Sequence, residues 1–488
     1  MVPGPRQRLA HGGPALMLDE LIAGLREEDT RPALAGRCTR GELAGLTHGY
    51  SVALREKGLA PGDTIGLAVR PGARSLATML AAYRMGLRIA VLDPTAGPDV
   101  LRARLALATP RLILADAAAQ AVAGRLAPLA RRAHLALPAL DTLAPVVTVG
   151  RRLPGAPPAL RPLAGPLPPA YDGDGDAVIV FTSGTTSRPR AVVHTRRSLS
   201  AGMTAVRDLV RPLPGVPVLG GTFFVLLPSL ASGAPVALPA RRGLGRQIRN
   251  LDPQATYLTP PHLRAALAGG VRFTGRVYSG SAPVSAALLA SVRAAGAREA
   301  WGVYALTEVF PAAAVESAEK AAFTGEGDLV GAPLPGVTAS VDAGGQLLLS
   351  GPTAAGRYLG EQPFAQVATG DRGRVEDGRI VLGGRLKDMI LRRAENIYPG
   401  LYEPSLHIPG VELALLVGVP TGDGDERVVA VIQPAAGASE AGLRVALRDP
   451  LARMGAARPD AVIFARIPLA GRSRKPDRRA TAQLAANA

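Results

Sequence analysis

Asp176-Ala-Val-Ile-Val-Phe-Thr-Ser-Gly-Thr-Thr-Ser-Arg-Pro-Arg190 decides how the rest of this chain is read. Its first six residues, Asp176 to Phe181, form an apolar, β-branched run, the pattern of a buried strand. The strand opens into a loop where Thr182, Ser183, Thr185 and Thr186 surround Gly184, and two arginines follow, the second being Arg190. Small hydroxyl residues around a glycine let the backbone approach an anion closely. Their N–H and O–H groups cradle phosphate oxygens, and the arginines neutralise charge. The pattern predicts a nucleotide-triphosphate grip. It lacks the Gly-Lys-Ser/Thr ending of the P-loop, so the grip is of a different kind.

Working outward, the segment before this loop alternates helical and strand-like patterns. Glu42 to Lys57 reads as a helix and Thr64-Ile-Gly-Leu-Ala-Val69 as a strand. Ser75 to Met85 reads as a helix, Ile89-Ala-Val-Leu92 as a strand, Leu101 to Ala108 as a helix and Leu112-Ile-Leu-Ala115 as a strand. Such a βαβα rhythm predicts a parallel sheet with helices on both faces. Residues 150 to 175 are rich in Pro and Gly and read as a linker. A second set of βα units runs from Asp176 to about Val330. A β-rich stretch follows, with Gln346–Ser350 and Arg379–Leu382 as strands. Leu413–Val419 and Val428–Ile432 read as strands of a C-terminal unit.

With 488 residues, the chain is too long for one compact core. The formal net charge of +17 raises the question of nucleic acid. The arginines are scattered, zinc and helix-turn-helix patterns are missing, and aromatics for base stacking are sparse, so a nucleic-acid partner is not expected. A basic surface still favours anionic substrates. The single cysteine, Cys38, excludes an internal disulfide framework and fits a reducing, cytoplasmic compartment. The long uncharged stretch from Pro212 to Ala240 contains six prolines. It predicts a buried strand–helix–strand, not a membrane span.

Further motifs carry chemistry. Tyr278-Ser-Gly-Ser-Ala-Pro283 includes Gly280, Ser281 and Ala282. Tyr304-Ala-Leu-Thr-Glu308 offers Thr307 and a carboxylate, Glu308, suited to a hard cation. Taken alone, Thr-Glu reads as a helix N-terminal pair. Thr369-Gly-Asp371 precedes Gly384-Arg385; taken alone, Gly-Asp reads as a β-turn. Gly384-Arg-Leu-Lys-Asp-Met-Ile390 contains Lys387, and Arg474-Lys-Pro-Asp-Arg478 contains Lys475. The chain has only four lysines (Lys57, Lys320, Lys387 and Lys475), so two of them fall in these motifs. A compact ammonium is not freely replaced by arginine.

In order and spacing these motifs resemble the adenylate-forming superfamily of acyl- and aryl-CoA synthetases, stand-alone adenylation domains and luciferases. The resemblance covers nearly the whole chain. It implies an α/β fold in which a large N-terminal domain of doubly wound sheets, with a small β-rich subdomain, is joined to a smaller mobile α+β domain. The boundaries it implies are 1–386 (subdomains about 1–170, 171–330 and 331–386) and 387–488. It also implies ATP and Mg²⁺. Thr182 to Thr186 and Arg190 would grip phosphates, and Gly280, Ser281 and Ala282 would pack on adenine. Tyr304 belongs to a motif whose Thr307 contacts the α-phosphate and whose Glu308 holds Mg²⁺. Asp371, assisted by Arg385, would bind the ribose hydroxyls. Lys387 would be the hinge, and Lys475 would stabilise charge building between carboxylate and α-phosphate.

The activity implied is activation of a small-molecule carboxylate to an acyl-adenylate with pyrophosphate release, then transfer to CoA or a carrier-protein thiol. Several positions depart from the family pattern: Ser187, Arg190, Ala191 and Ala305, and above all Arg393-Ala394, where family CoA ligases carry two glycines that line the entry for the pantetheine arm. A side chain at Arg393 fits an acceptor other than CoA, as in β-lactone synthetases or ATP/nitrite-dependent diazotases; a degenerate, non-catalytic homologue is the third reading. Leu219-Gly-Gly-Thr-Phe-Phe224 offers no carboxylate to pair with an amino group, so an α-amino-acid substrate is not expected.

Overall fold

The computed structural model describes residues 16–93, 98–123, 140, 144–150, 153–154, 156–182, 190–392, 395–421, 425–470 and 474–488. Ser183 to Pro189 of the predicted phosphate loop and Arg393-Ala394 lie outside the described residues.

The predicted βαβα rhythm forms. Strands Thr64–Ala68, Arg88–Val91, Leu112–Asp116 and Val146–Val149 pair in parallel, and Arg88–Val91 also pairs in parallel with Asp176–Phe181. Ile65, Ile113, Leu114 and Ile179 are fully buried, as expected of strands covered by helices on both faces. Burial of each such side chain contributes roughly 1.5–3 kcal/mol. The helix Arg40–Glu56 on this layer starts at a capping box: Thr39 Oγ1 accepts from the Glu42 N–H at 3.0 Å, and Glu42 Oε2 accepts from the Thr39 N–H at 2.8 Å.

Sheet membership does not follow the expected cuts in sequence. Asp176–Phe181, expected to begin a second unit, is instead hydrogen-bonded into the first sheet beside Arg88–Val91. Ala191–Thr195 and Arg357–Tyr358 extend that same seven-stranded sheet. Conversely, Pro32–Leu34 and Cys38–Thr39 form one edge of a second, thirteen-stranded sheet, whose opposite edge is Thr338–Val341. The β-rich stretch after Val330 joins this second sheet through the pairing of Asp328–Pro333 with Arg379–Arg385. The chain therefore weaves between two sheets.

The Pro/Gly-rich stretch before Asp176 is a strap tied to the helices beneath it. Leu163 N–H donates to Gly49 O at 3.0 Å and Tyr171 N–H to Arg84 O at 2.9 Å. The Arg196 guanidinium is buried between the Tyr83 and Tyr171 rings, 3.9 and 5.4 Å from their centroids, and bonds Asp19 at 2.6 Å. Pro212 to Ala240 is the predicted strand–helix–strand: Val218–Leu219, Phe223–Ala231 and Val236–Ala237. No helix among the described residues is long and apolar enough to cross a membrane. Towards the C-terminus, Val411–Pro420, Glu426–Pro434 and Ala461–Phe464 form a three-stranded sheet against which the helix Arg478–Ala486 packs.

Candidate functional site

A cleft of about 2500 Å³ opens where the two sheets and the C-terminal elements meet. Among its lining residues are Thr182, Arg190, Ser281, Ala305, Thr307, Glu308, Thr369, Arg385, Lys387 and Lys475, so residues spread over nearly three hundred positions converge on one space.

One wall is built by paired strands. Asp371 lies within Val367–Glu376, opposite Arg385 in the neighbouring strand Arg379–Arg385, and so sits in a ladder, not in a β-turn. Arg385 Nε bonds Asp371 Oδ1 at 2.8 Å, and Tyr304 O–H donates to Oδ2 at 2.6 Å. Gly370 beside it has φ +71°, a backbone state that suits glycine, and its N–H donates to Gln346 Oε1 at 3.0 Å. Burial pushes the Asp371 carboxyl above its usual range, opposed chiefly by Arg385. Burial also drives the Tyr304 phenol up, reinforced by Asp371, so Tyr304 keeps its proton and donates it.

Thr307 and Glu308 lie in the connection between the strands Glu299–Tyr304 and Ala313–Glu316, not at a helix start. Two residues that the sequence patterns did not single out hold this connection. His194 is buried in Ala191–Thr195, and its Nε2 lies 2.8 Å from Thr307 O. That carbonyl can only accept, so Nε2 carries the proton. Burial lowers the His194 pKa, which keeps the ring neutral. Tyr358 O–H donates to Glu308 Oε1 at 2.9 Å, and the Arg190 guanidinium stands 5.0 Å above the Tyr358 ring. Arg190 O in turn accepts from Thr182 N–H at 3.0 Å, closing the base of the phosphate loop.

Gly280 and Ala282 follow the strand Arg276–Ser279, and neither is among the residues that line the cleft. A Cβ on Gly280 would come within 2.7 Å of Val303 O, so only glycine lets these chain segments pack. Ser281 does face the cleft; it has φ +68° and its Oγ lies 2.9 Å from Tyr257 O–H.

Lys475 enters the cleft from the C-terminal elements. It sits in a two-stranded hairpin in which Ala470 pairs with Lys475. Although its surface is exposed, the protein crowded around the ammonium lowers its pKa, and Arg385 lowers it further, while Asp371 pulls the other way. Arg478 fixes this hairpin. Its Nη1 and Nη2 bond both carboxylate oxygens of Glu403 at 2.7 and 3.0 Å, and its Nε lies 3.3 Å from Asp388, next to Lys387. Such a forked pair sets position as well as energy. Lys387 itself lies in a single turn, Leu386–Asp388.

The arrangement suits transfer of a nucleotidyl group to a carboxylate. A charge-assisted carboxylate is set for hydroxyl donors and the Lys475 ammonium for a developing negative charge. No group of three or more His, Cys, Asp or Glu among the described residues could hold a metal by itself. One carboxylate, Glu308, supplemented by phosphate oxygens, is a donor set that suits Mg²⁺.

A family model described as "AMP-binding enzyme" matches residues 25–359. The chain belongs to the AMP-binding, adenylate-forming enzymes. Its curated relatives among these enzymes have different acceptors. It is 30% identical over 321 residues to a feruloyl-CoA synthase of an Amycolatopsis species, a match spanning 57% of this chain and 65% of that protein. It is 31% identical over 356 residues to the fatty acid–[acyl-carrier-protein] ligase ScoC of Streptomyces coeruleorubidus, covering 61% and 67%. It is 27% identical over 396 residues to an olefin β-lactone synthetase of Stenotrophomonas maltophilia, covering 71% and 69%. In fold it is similar to the amide bond synthetase McbA from Marinactinospora thermotolerans, with a TM-score of 0.78, 24% identity, and 96% and 99% of the two chains covered.

Proposed function

We propose that this AMP-binding enzyme activates an apolar carboxylic acid with ATP, releasing pyrophosphate, and then passes the acyl group to the thiol of CoA. The observation that carries the first half is the meeting of Lys475 and Arg385 in the cleft that Thr307 and Glu308 also line, with Asp371 buried behind Arg385 at its wall. Asp371 receives the ribose hydroxyls, with Arg385 and Tyr304 holding both of its oxygens in place. Thr307, fixed by His194, faces the α-phosphate. A carboxylate oxygen of the substrate attacks the α-phosphorus, the bond to the pyrophosphate breaks, and Lys475 stabilises the negative charge that gathers between the two. Mg²⁺, held by Glu308 with phosphate oxygens, would neutralise charge on the leaving pyrophosphate.

The acyl side of the cleft supports an apolar substrate. Met203, Val206, Phe224, Tyr257, Val303 and Phe310 line it, and the rings of Phe224 and Phe310 lie 4.3 Å apart. The hydroxyl pair Tyr257–Ser281 and the His194 ring, 5.7 Å from Phe310, are polar features beside them. Gly221 to Phe224 brings no carboxylate to this wall.

For the second half, transfer would follow rotation at Lys387, which moves Lys475 away and lets a thiol attack the acyl carbon, expelling AMP. A different acceptor is the second reading, and the observation favouring it is Arg393-Ala394 at the position where the resemblance expects two glycines. One experiment separates them: pyrophosphate release is measured across fatty, β-hydroxy and aryl acids, with and without CoA. Release accompanied by a thioester only when CoA is added supports the first reading. Release indifferent to CoA supports the second, and absence of release with every acid overturns both.

A further inference from the structure

We propose that the cleft holds the far end of the acid substrate in a second lobe, where Arg241 and Arg249 grip a second anionic group. The substrate is then a long α,ω-dicarboxylate, apolar between its two charges; this rests on the carboxylate-activating reading above and narrows its substrate class. The cleft reaches both faces of the strand Ala255–Tyr257. Side chains alternate across a strand. Ala255 and Tyr257 pack with Val225 and Phe310 on the acyl wall already described. Leu258, one residue on, packs instead with Ile248 and Leu263 of the helices Leu244–Leu251 and Pro260–Ala268. Leu244, Ala265, Ala266 and Val271 on that side also line the cleft, so this lobe too is apolar. The way round the strand is at its carboxyl end. Gly221, Pro239 and Thr259 follow the carboxyl ends of three adjacent parallel strands, and all three line the cleft. Open α/β sheets bind ligands beyond such ends. A Cβ at Gly221 would meet only Pro239 Cδ, at 3.9 Å, so this corner is open.

The charge at this lobe has one sign. Arg241 and Arg249 line the cleft and are exposed, and neither guanidinium makes a hydrogen bond, ion pair or ring contact among the described residues. Gln247 fixes the segment that leads to Arg241: its Oε1 accepts from Ala240 N–H at 2.7 Å and its Nε2 donates to Leu238 O at 2.8 Å. Arg249 lies one helical turn beyond Gly245. A Cβ at Gly245 would stand 3.7 Å from Arg249 Nη1 and 3.6 Å from Val271 Cγ2, so the guanidinium reaches the apolar lining. Apart from Asp252, no Asp or Glu occurs from residue 209 to residue 298. The acids that do line the cleft, Asp93, Glu308, Asp388 and Asp477, come from other parts of the chain. Arg242 and Arg246, exposed on the same stretch, strengthen the positive potential. Unpaired guanidiniums beside an apolar lobe suit an anion carried on an apolar chain, and their forked geometry matches a carboxylate.

Pyrophosphate release from ATP by the full chain, measured over saturated diacids of increasing length and over the monoacid of equal length for each, tests this. The preferred diacid should exceed its matched monoacid in kcat/KM by about 10-fold or more, the worth of one charge-assisted contact. Arg241→Gln and Arg249→Gln should each lower that ratio by about 10-fold, chiefly by raising the KM of the diacid. Arg241→Lys and Arg249→Lys, which keep the charge but not the fork, should fall between, and they serve as the test if a glutamine variant is misfolded by circular dichroism. Wild-type release with monoacids and no preference for any diacid overturns the proposal and leaves the carboxylate reading standing. So does a preference that survives both substitutions, or a loss equal for diacid and monoacid, which would mark a structural role. Absence of release with every acid overturns the carboxylate reading and the proposal together.

Discussion

Replacing Lys475 by alanine should abolish most adenylation while leaving the fold as stable as before, or more so. The ammonium lies against Arg385 and within crowded protein, and both lower its pKa; only Asp371 favours its charge. A lysine whose folded pKa lies below its unfolded value binds its proton less well in the native state. Below both values its charge therefore costs the fold stability, and this cost disappears as pH rises through the folded and then the unfolded pKa. Removing the side chain removes that cost. The catalytic loss has the opposite sign. A preorganised charge aimed at a developing oxyanion is worth about 2.7–4 kcal/mol, which corresponds to roughly a 10²- to 10³-fold loss in rate. Pyrophosphate release by the wild type and Lys475→Ala, with melting followed on the same samples, provides the assay. The reasoning is refuted if Lys475→Ala releases pyrophosphate at the wild-type rate, or if its activity falls only in parallel with a lowered Tm. The same lowered pKa predicts that adenylation by the wild type declines on the alkaline side at a pH below that of an ordinary lysine.

Asp371→Asn keeps the shape of the side chain but loses the charge that Arg385 and a ribose would share, so the KM for ATP should rise by about 10-fold or more while pyrophosphate affinity is unchanged. Arg478→Met leaves Glu403 and Asp388 without their shared cation, so adenylation should fall even though Arg478 is three residues from Lys475; Glu403→Gln should give a smaller loss of the same kind, read as kcat against KM. Gly202→Ala would place a Cβ 2.6 Å from Phe310 O, a backbone atom that cannot swing aside, and should cost roughly 1–3 kcal/mol in a denaturant titration.

Several of the side chains that the structure gathers at this cleft were legible along the chain, and their supports were not. Tyr304, Asp371, Arg385 and Lys475 fall in short motifs whose residue types suit their tasks, and the structure gathers them. Strand patterns were legible for the same local reason: a run such as Asp176–Phe181 must be buried whatever it pairs with. Which sheet it joins is a long-range matter. Its partner Arg88–Val91 lies more than eighty residues earlier, and a period-two pattern carries no information about that partner. Taken alone, the pairs at 307–308 and 370–371 read as a helix start and a turn; instead the first lies in the connection between two paired strands and Asp371 lies in a ladder with the next strand.

His194, Tyr358 and Arg478 show why supports escape a linear reading. His194 sits among valines in a buried strand, where a lone histidine has no pattern to distinguish it, and its meaning comes from a carbonyl 113 residues away. Tyr358 meets Glu308 only because the short strand Arg357–Tyr358 adds to the edge of the first sheet and carries its phenol across to the loop of the second. Arg478 belongs to a motif, yet its partners Glu403 and Asp388 are what give it a role. Each is a contact between elements that are distant in sequence, and each orients a residue that was found by its local motif. A motif therefore identifies which groups can react. Whether they are held at reacting geometry depends on the crossing of two sheets and on one arginine fork, so a change at Tyr358 or Glu403 can silence a site whose motifs remain intact.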